Sequence, residues 1–116
     1  MKLRMRGPQS DWTEALWQHA ERRLHFALGR FSQSIGLVTA RMLDDSDAHA
    51  GCRKTCRIVV NLLPAGRIAV EDTQKDPYIA IDEAAECAGR AVGRQLRFQR
   101  ELGEDSVRST IFKGDA

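Results

Sequence analysis

The spacing of the apolar residues changes along this chain, and that change constrains the fold more than any other feature. Three stretches alternate between apolar and polar residues, and a fourth is apolar and partly β-branched, which predicts four strands. Two longer stretches repeat their apolar residues every three or four positions, which predicts helices that bury one face. In chain order these are strand 2–6, helix 13–31, strand 35–43, strand 52–63, strand 67–72 and helix 77–102.

This order, β-α-β-β-β-α, predicts an α+β fold: a four-stranded sheet with two helices packed on one face. The crossover through the first helix favours a parallel arrangement of the first two strands, as neighbours or near neighbours. We expect the core to consist of inward-facing residues from both helices and the long strand. These are Leu16, Leu24, Leu28, Ile58, Val60, Ile81, Ala88 and Val92.

Both helices have recognisable start signals. Thr13 is a favoured N-cap for the first helix, although Asp11 with Glu14 three residues later also resembles a capping pair. Asp76 followed by Pro77 is a good start for the second helix, because proline is well suited to the first helical position.

The second helix is predicted to end near Leu102, since Gly103 is a plausible stop. We therefore expect a single domain over 1–102, followed by a short, polar, flexible tail over 103–116.

Length and composition exclude several classes of protein. A chain of 116 residues is one small domain, with little room for a large enclosed active site. No apolar run approaches the ~20 residues that a membrane span needs, and the basic N-terminus lacks the apolar stretch of a signal peptide. We expect a cytoplasmic protein that makes no membrane contact, and the sequence leaves its oligomeric state open, with a monomer as the expectation.

Arginine dominates the basic residues: 14 of the 18 are Arg, although the net charge is only +2. Guanidinium groups bind phosphate in a bidentate manner and stack on bases, so this bias is compatible with an RNA partner. A GC-rich genome alone would produce the same bias.

The second helix carries a set of arginines on its polar side. At about 100° per residue, Arg90, Arg94 and Arg97 lie in a narrow sector opposite the apolar stripe, with Arg100 at its flank. This spacing matches a phosphate backbone. An ordinary solvated helix face is the alternative, because glutamates lie on the same side. They are Glu83, Glu86 and Glu101.

The first helix adds Arg22, Arg23 and Arg30, and the last two share a flank with His19. If the helices pack side by side, the two arginine sets can frame a basic groove. The outer face of the sheet is also basic, and periodicity does not choose between the two surfaces. Its arginines are Arg4, Arg6, Arg53, Arg57 and Arg67.

Catalytic and metal-binding patterns are weak. Cys52 and Cys56 would lie about 13 Å apart in one strand, too far for a shared zinc ion, unless the strand began after Cys52. His49 and Cys87 are the other candidate ligands, but no spacing joins them to this pair. We therefore predict free thiols and no bound metal. No triad, nucleophile elbow or phosphate-binding glycine loop occurs, so we expect no enzyme, no cofactor and no small-molecule substrate.

Gly89 and Gly93 form a GxxxG pattern in the second helix. In a charged helix of this kind the pattern predicts a close contact between the two helices, with Trp17 or Leu24 settling against glycine.

Two segments of the second helix resemble a known family. Asp76–Asp82, DPYIAID, resembles the D-x-Y-x-A-I-D motif of the ribosome hibernation promoting factor and ribosome-associated inhibitor family. Gly93–Arg97, GRQLR, resembles that family's x-R-Q-L-R/K segment. The first strand, the helix start Thr13–Leu16 and the pair Arg23-Leu24 ahead of Phe31 also fit, so the resemblance spans residues 1–102.

The resemblance implies a cytosolic, non-enzymatic factor that binds the small ribosomal subunit in the channel that holds mRNA and tRNA, and so inhibits translation and preserves idle ribosomes. Basic residues of both helices would face ribosomal RNA. Tyr78 matches an aromatic position of the family, with a structural and an RNA-stacking role both open. The RNA-binding residues carried over are Arg22, Arg23, Arg30, Arg90, Arg94, Arg97 and Arg100.

The chain departs from the family pattern at two places. Gly7-Pro8-Gln9 follows the first strand where the family commonly has Gly-Arg-His, and Phe98, Gln99 and Glu101 interrupt a helix end that is usually Lys-rich. The chain resembles a short form of the family, so we expect no C-terminal dimerisation domain of the kind that long forms carry. A protein-interaction module on the same fold, with weak or no RNA binding, is the alternative function.

Overall fold

The computed structural model describes residues 1–7, 12–47 and 51–114, with the side chains of 45–47, 51–52 and 103–114 outside that description. Within these residues, the four predicted strands and two predicted helices occur in the predicted order, with a 3₁₀ segment over Gly29–Ser34. The elements are β1 Lys2–Arg6, α1 Glu14–Leu28, β2 Ile35–Asp47, β3 Gly51–Leu62, β4 Arg67–Gln74 and α2 Pro77–Gly114.

The strands form a single sheet in the order β1-β2-β3-β4. β1 pairs with β2 in parallel, because α1 carries the chain back to the start of the sheet, and Met5 lies opposite Ala40. The other two pairs are antiparallel, as short connections between consecutive strands require. The sheet is therefore mixed, and the predicted α+β fold and the parallel first pair are confirmed.

The core lies between the sheet and the two helices. All eight residues predicted to form it are buried, and α2 packs on β3 and β4 while α1 packs beside α2. Met42 and Cys56 join them from the inward faces of β2 and β3, where they lie opposite each other. The change of apolar period along the sequence thus identified the buried faces of α1, α2 and β3.

The start of each helix is capped as predicted. The Thr13 hydroxyl accepts a hydrogen bond from the Leu16 amide at 3.1 Å, and the Asp76 carboxylate accepts one from the Tyr78 amide at 2.9 Å. Each cap satisfies a backbone donor that has no partner within the helix. Asp11, Pro8, Gln9 and His49 lie outside the described residues.

Three predicted element ends are wrong. α1 ends at Leu28 rather than at 31, and Gly29 begins a tighter 3₁₀ segment, because glycine is a poor helix former. The polar connection predicted over 44–51 is mostly strand: Asp44 pairs with Lys54 in both register and charge, and the ladder continues to Asp47 opposite Gly51. Backbone pairing extends a hairpin without apolar side chains. β4 likewise continues to Gln74.

The predicted end of the second helix near Leu102 is also wrong, since α2 runs through Gly103 to Gly114. An interior glycine costs about 1 kcal/mol relative to alanine, which weakens a helix without ending it. No proline follows to interrupt the backbone hydrogen bonds. The division into a domain over 1–102 and a flexible tail stays a prediction.

Candidate nucleic-acid interface

The two helices run parallel to each other. His19 contacts Asp82, Ala27 lies against Gly89, and Phe31 lies against Gly93, so positions advance together along both helices. A Cβ atom at Gly89 would lie 3.0 Å from the Ala27 carbonyl oxygen, and one at Gly93 would lie 3.2 Å from Phe31 Cζ. The predicted close approach is confirmed.

The predicted glycine partners are wrong. Trp17 and Leu24 lie too early in α1 to reach Gly89, because the parallel pairing brings the last turn of α1 to that position. Leu24 is instead buried in the core. This contact depends on how far one helix is shifted along the other, which no spacing within a single helix specifies.

A polar cluster joins the first halves of the two helices. His19 Nε2 donates a hydrogen bond to Asp82 Oδ1 at 2.6 Å, and Arg23 Nε forms an ion pair with the same oxygen at 3.2 Å, without hydrogen-bond alignment. The Tyr78 ring meets the His19 ring edge-on, with centroids 5.1 Å apart. Tyr78 and Asp82 both belong to the DPYIAID segment, so part of this motif joins α1 to α2, and Tyr78 has a structural contact.

Between the helices runs a shallow depression that we call the interhelical groove. It consists of two adjoining concavities that share Arg30. Five of the seven predicted arginines line it, together with Phe26, Phe31, Glu86 and the two glycines. These arginines are Arg23, Arg30, Arg90, Arg97 and Arg100.

The groove arginines differ in their partners. Arg23 is paired with Asp82, and Arg90 is paired with Glu86 at 3.2 Å. The other three, at the end of the groove near the 3₁₀ segment, form no ion pair with any carboxylate in the described part of the chain: Arg30, Arg97 and Arg100. The Arg30 guanidinium lies over the Phe31 ring, 4.7 Å from its centroid. This end of the groove therefore carries the available positive charge.

Arg22 and Arg94 lie outside the groove. Arg22 is exposed on the far side of α1 beside Glu21 and His25, and Arg94 is exposed on the opposite flank of α2 beside Ile68 and Phe98. Arg94 points outward from α2 in the same sector as Arg90 and Arg97, as predicted. The groove takes up only one side of that sector, so it includes Arg90 and Arg97 but not Arg94.

Phe26 is a residue of the groove that the sequence analysis missed. Its side chain is 81% exposed, and the Arg23 guanidinium lies 5.6 Å from its ring centroid. An exposed aromatic ring among arginines is the arrangement on which nucleic-acid bases stack. The signal was available, because Phe26 falls outside the apolar stripe of its helix.

The face of the sheet away from the helices is the second basic surface, which we call the open sheet face. A shallow cleft there is lined by five exposed arginines with Leu37, Thr39, Val59 and Asn61 between them. The arginines are Arg4, Arg6, Arg41, Arg57 and Arg67. Arg53, which the sequence analysis placed on this surface, does not line the cleft, and Arg41, which it missed, lies at the centre.

Two cysteine side chains are described, and they lie in different elements. Cys56 in β3 is buried and Cys87 in α2 is half-buried, and β3 begins at Gly51, before Cys52. Burial, with a smaller effect of the Asp72 carboxylate, raises the pKa of the Cys56 thiol to about 12. Among the described side chains, no group of three or more His, Cys, Asp or Glu could hold a metal ion. No helix in the described ranges combines the length and apolarity needed to cross a membrane.

The order of elements, the mixed sheet and the helical layer on one face place the chain among small two-layer α+β domains. It belongs to the family described as "Sigma 54 modulation protein / S30EA ribosomal protein", whose profile matches residues 3–100. This is a family of non-enzymatic, ribosome-associated proteins, which confirms the resemblance given by the helix motifs.

Two solved structures are similar to this chain. A ribosomal subunit interface protein from Coxiella burnetii has 19% sequence identity and a TM-score of 0.67, over 84% of this chain and 99% of that one. The N-terminal domain of Thermus thermophilus Protein Y has 27% identity and a TM-score of 0.60, over 80% and 93% respectively. A comparison with curated proteins found no match.

Proposed function

We propose that this protein is a translation inhibitor of the hibernation type, which binds ribosomal RNA of the small subunit in the channel that holds mRNA and tRNA. It would act in the cytoplasm when ribosomes are idle, as a stress-response factor without a cofactor. Family membership over residues 3–100 supports a ribosomal partner. The observation that carries the proposal is a set of arginines at one end of the groove that form no ion pair with any described carboxylate. These are Arg30, Arg97 and Arg100.

Phosphate is the ligand that fits these three side chains. Guanidinium groups bind phosphate oxygens through paired hydrogen bonds, and a groove open along its length suits a phosphate backbone rather than a small molecule. Arg23 and Arg90 would add to the positive potential of the groove if phosphate replaced part of their contact with Asp82 and Glu86. Phe26 would stack on a base at the other end of the groove.

The alternative is a protein-interaction module. It is favoured by two exposed apolar side chains in the second half of α2, Phe98 (53% exposed) and Leu102, and by the ion pairs that neutralise Arg23 and Arg90. An apolar contact of this kind would be insensitive to salt, whereas phosphate contacts weaken steeply as salt rises.

The test is co-sedimentation of the protein with purified small subunits. The groove variant Arg30→Glu with Arg97→Glu removes two of these cations and adds two negative charges. Its matched control, Arg22→Glu with Arg94→Glu, makes the same charge change on the same helical layer but outside the groove. We expect the groove variant to leave the subunit fraction and the control to stay with it.

Equal loss in both variants would mean that the whole outer face of the helices binds, rather than the groove. If the parent protein does not sediment with subunits at moderate salt, the interaction module becomes the better proposal. Circular dichroism of both variants checks folding, since exposed substitutions usually change stability by under about 0.5 kcal/mol.

A further inference from the structure

The open sheet face concentrates arginines that the fold does not need. Arg6 of β1 lies opposite Arg41 of β2, and Arg41 lies opposite Arg57 of β3, so three arginines form one row across three strands. Like charges directly opposite each other destabilise a sheet. Any polar residue at these positions would preserve the alternation of the strands. The row of arginines therefore lowers the stability of the sheet without being needed for its fold.

No described acidic side chain forms an ion pair with the row. Glu71 lies opposite Arg57 in β4, yet it makes no ion pair with it, and none of the five cleft arginines is paired with a carboxylate among the described side chains. Positive charge left unpaired in a concave surface attracts an anion from solution.

The dimensions of the cluster indicate an extended anion. Neighbouring strands lie about 4.8 Å apart, so the row from Arg6 to Arg57 spans about 10 Å, and Arg4 adds about 7 Å along β1. Arg67, opposite Asn61, carries the cluster to β4. One phosphate group would contact only part of this surface.

A nucleic-acid strand fits this face better than a protein does. Protein interfaces depend on a few anchor residues, mostly Trp, Tyr and Arg, that are fully desolvated in well-packed pockets, whereas the arginines of this face are exposed in an open cleft. The large apolar side chains that are exposed in the described part of the chain all lie elsewhere: Phe26, Leu63, Tyr78, Ile79, Phe98 and Leu102. The cleft offers guanidinium groups with Thr39 and Asn61 as further hydrogen-bonding partners.

We propose that the open sheet face is a second RNA-binding site, which takes the phosphates of a single RNA strand on the side of the molecule opposite the interhelical groove. The protein can then hold two RNA segments at once, one against each layer. This second site goes beyond the proposed function, which uses the helices alone. RNA binding by the open sheet face does not depend on RNA binding by the groove.

The experiment measures binding of a fluorescent oligouridylate of about 12 nucleotides to the full chain by anisotropy, over a series of salt concentrations. The sheet variant is Arg41→Gln with Arg57→Gln. Its matched control is Arg22→Gln with Lys75→Gln, which removes the same charge from exposed positions outside both surfaces. The groove variant Arg30→Gln with Arg97→Gln completes the set.

We expect two oligonucleotides per parent chain and one per sheet variant or groove variant. In the groove variant, adding Arg41→Gln and Arg57→Gln should weaken the remaining binding at least tenfold and lower its salt slope by about 1.4, at about 0.7 per phosphate contact of a single strand. The control should match the parent, and the thermal midpoint of the sheet variant should not fall, because the substitutions relieve repulsion.

An unchanged stoichiometry and salt slope in the sheet variant would overturn the inference. So would tripolyphosphate or oligoglutamate competing as well as RNA at equal charge, since the site would then take small polyphosphates or acidic peptides. Failure of the proposed function looks different: the parent would not sediment with small subunits, while the sheet variant would still differ from its control in the oligonucleotide assay.

Discussion

Arg41 of β2 lies directly opposite Arg57 of β3, and neither guanidinium is paired with a carboxylate of the described residues. Arg41→Gln should therefore raise the free energy of unfolding, by about 0.2–1 kcal/mol, because it removes a like-charge pair from the sheet. Urea denaturation measures the change. Arg53→Gln in β3 is the control: its register partner is Asp45, so the same substitution should not stabilise. A loss of stability in Arg41→Gln would show that the row is not repulsive.

Phe26 is expected to contribute stacking and not charge. Phe26→Ala should weaken RNA binding by about 1–3 kcal/mol, the usual effect of removing one aromatic platform, and leave the salt slope unchanged. Phe98→Ala is the matched control, since Phe98 is also an exposed phenylalanine but lies on the other flank of α2. Equal effects of the two substitutions, or a changed slope in Phe26→Ala, would contradict a stacking role in the groove.

The contact between Gly89 and Ala27 is too close to accommodate even a methyl group at position 89. Gly89→Ala gains about 1 kcal/mol of helix propensity, but its Cβ would lie 3.0 Å from a backbone oxygen, and overpacking typically costs about 1–3 kcal/mol. We expect a net loss of about 1 kcal/mol in chemical denaturation. Gly29→Ala is the control, because its Cβ would meet nothing within 4 Å, and it should stabilise by about 0.4–1 kcal/mol. Stabilisation by both substitutions would mean that the helices can move apart.

The buried Cys56 thiol should make the protein sensitive to alkaline pH. Burial raises the pKa of the thiol from its ordinary value of 9.0 to about 12, so above pH 9 the unfolded chain releases a proton that the folded chain keeps. This contribution to stability is complete below pH 9 and declines as the pH rises towards 12, by up to about 1.4 kcal/mol per pH unit.

Comparison of the parent with Cys56→Ala by denaturation from pH 8 to pH 11 isolates this effect, and Cys87→Ala serves as the half-buried control. The difference in unfolding free energy between parent and Cys56→Ala should shrink above pH 9. A constant difference over that range would show that Cys56 ionises at its ordinary pKa.

Patterns within single elements predicted most of the fold. The positions of Leu16, Ile58 and Val92 in the core follow from local periodicity, because each strand or helix buries its own apolar face whatever its neighbours are. The caps Thr13 and Asp76 are local as well, since each bonds an amide two or three residues away. Helix and strand ends were less well predicted. The helical hydrogen bonds of α2 continue through Gly103, and the strand pairing of β2 continues through the polar residues after Asp44.

Features that depend on register between distant segments could not be read from the sequence. Ala27 meets Gly89 only because α1 and α2 are parallel with one particular offset, and Arg41 joins Arg6 and Arg57 only through the pairing of three strands. The same holds for the groove: Arg97 lies in it and Arg94 outside it, although both occupy one sector of a helical projection.

Binding of the small subunit through phosphate contacts is tested most directly by the salt dependence of co-sedimentation, measured for the parent and for Arg30→Glu with Arg97→Glu. We expect the logarithm of the parent's association constant to fall linearly with the logarithm of salt concentration, with a slope of about 2 or more, at about 0.7–0.9 per phosphate contact of Arg30, Arg97 and Arg100. The variant should bind too weakly to sediment. An association constant that does not change between about 50 and 200 mM salt, or a variant that binds as the parent does, would contradict phosphate recognition by the groove.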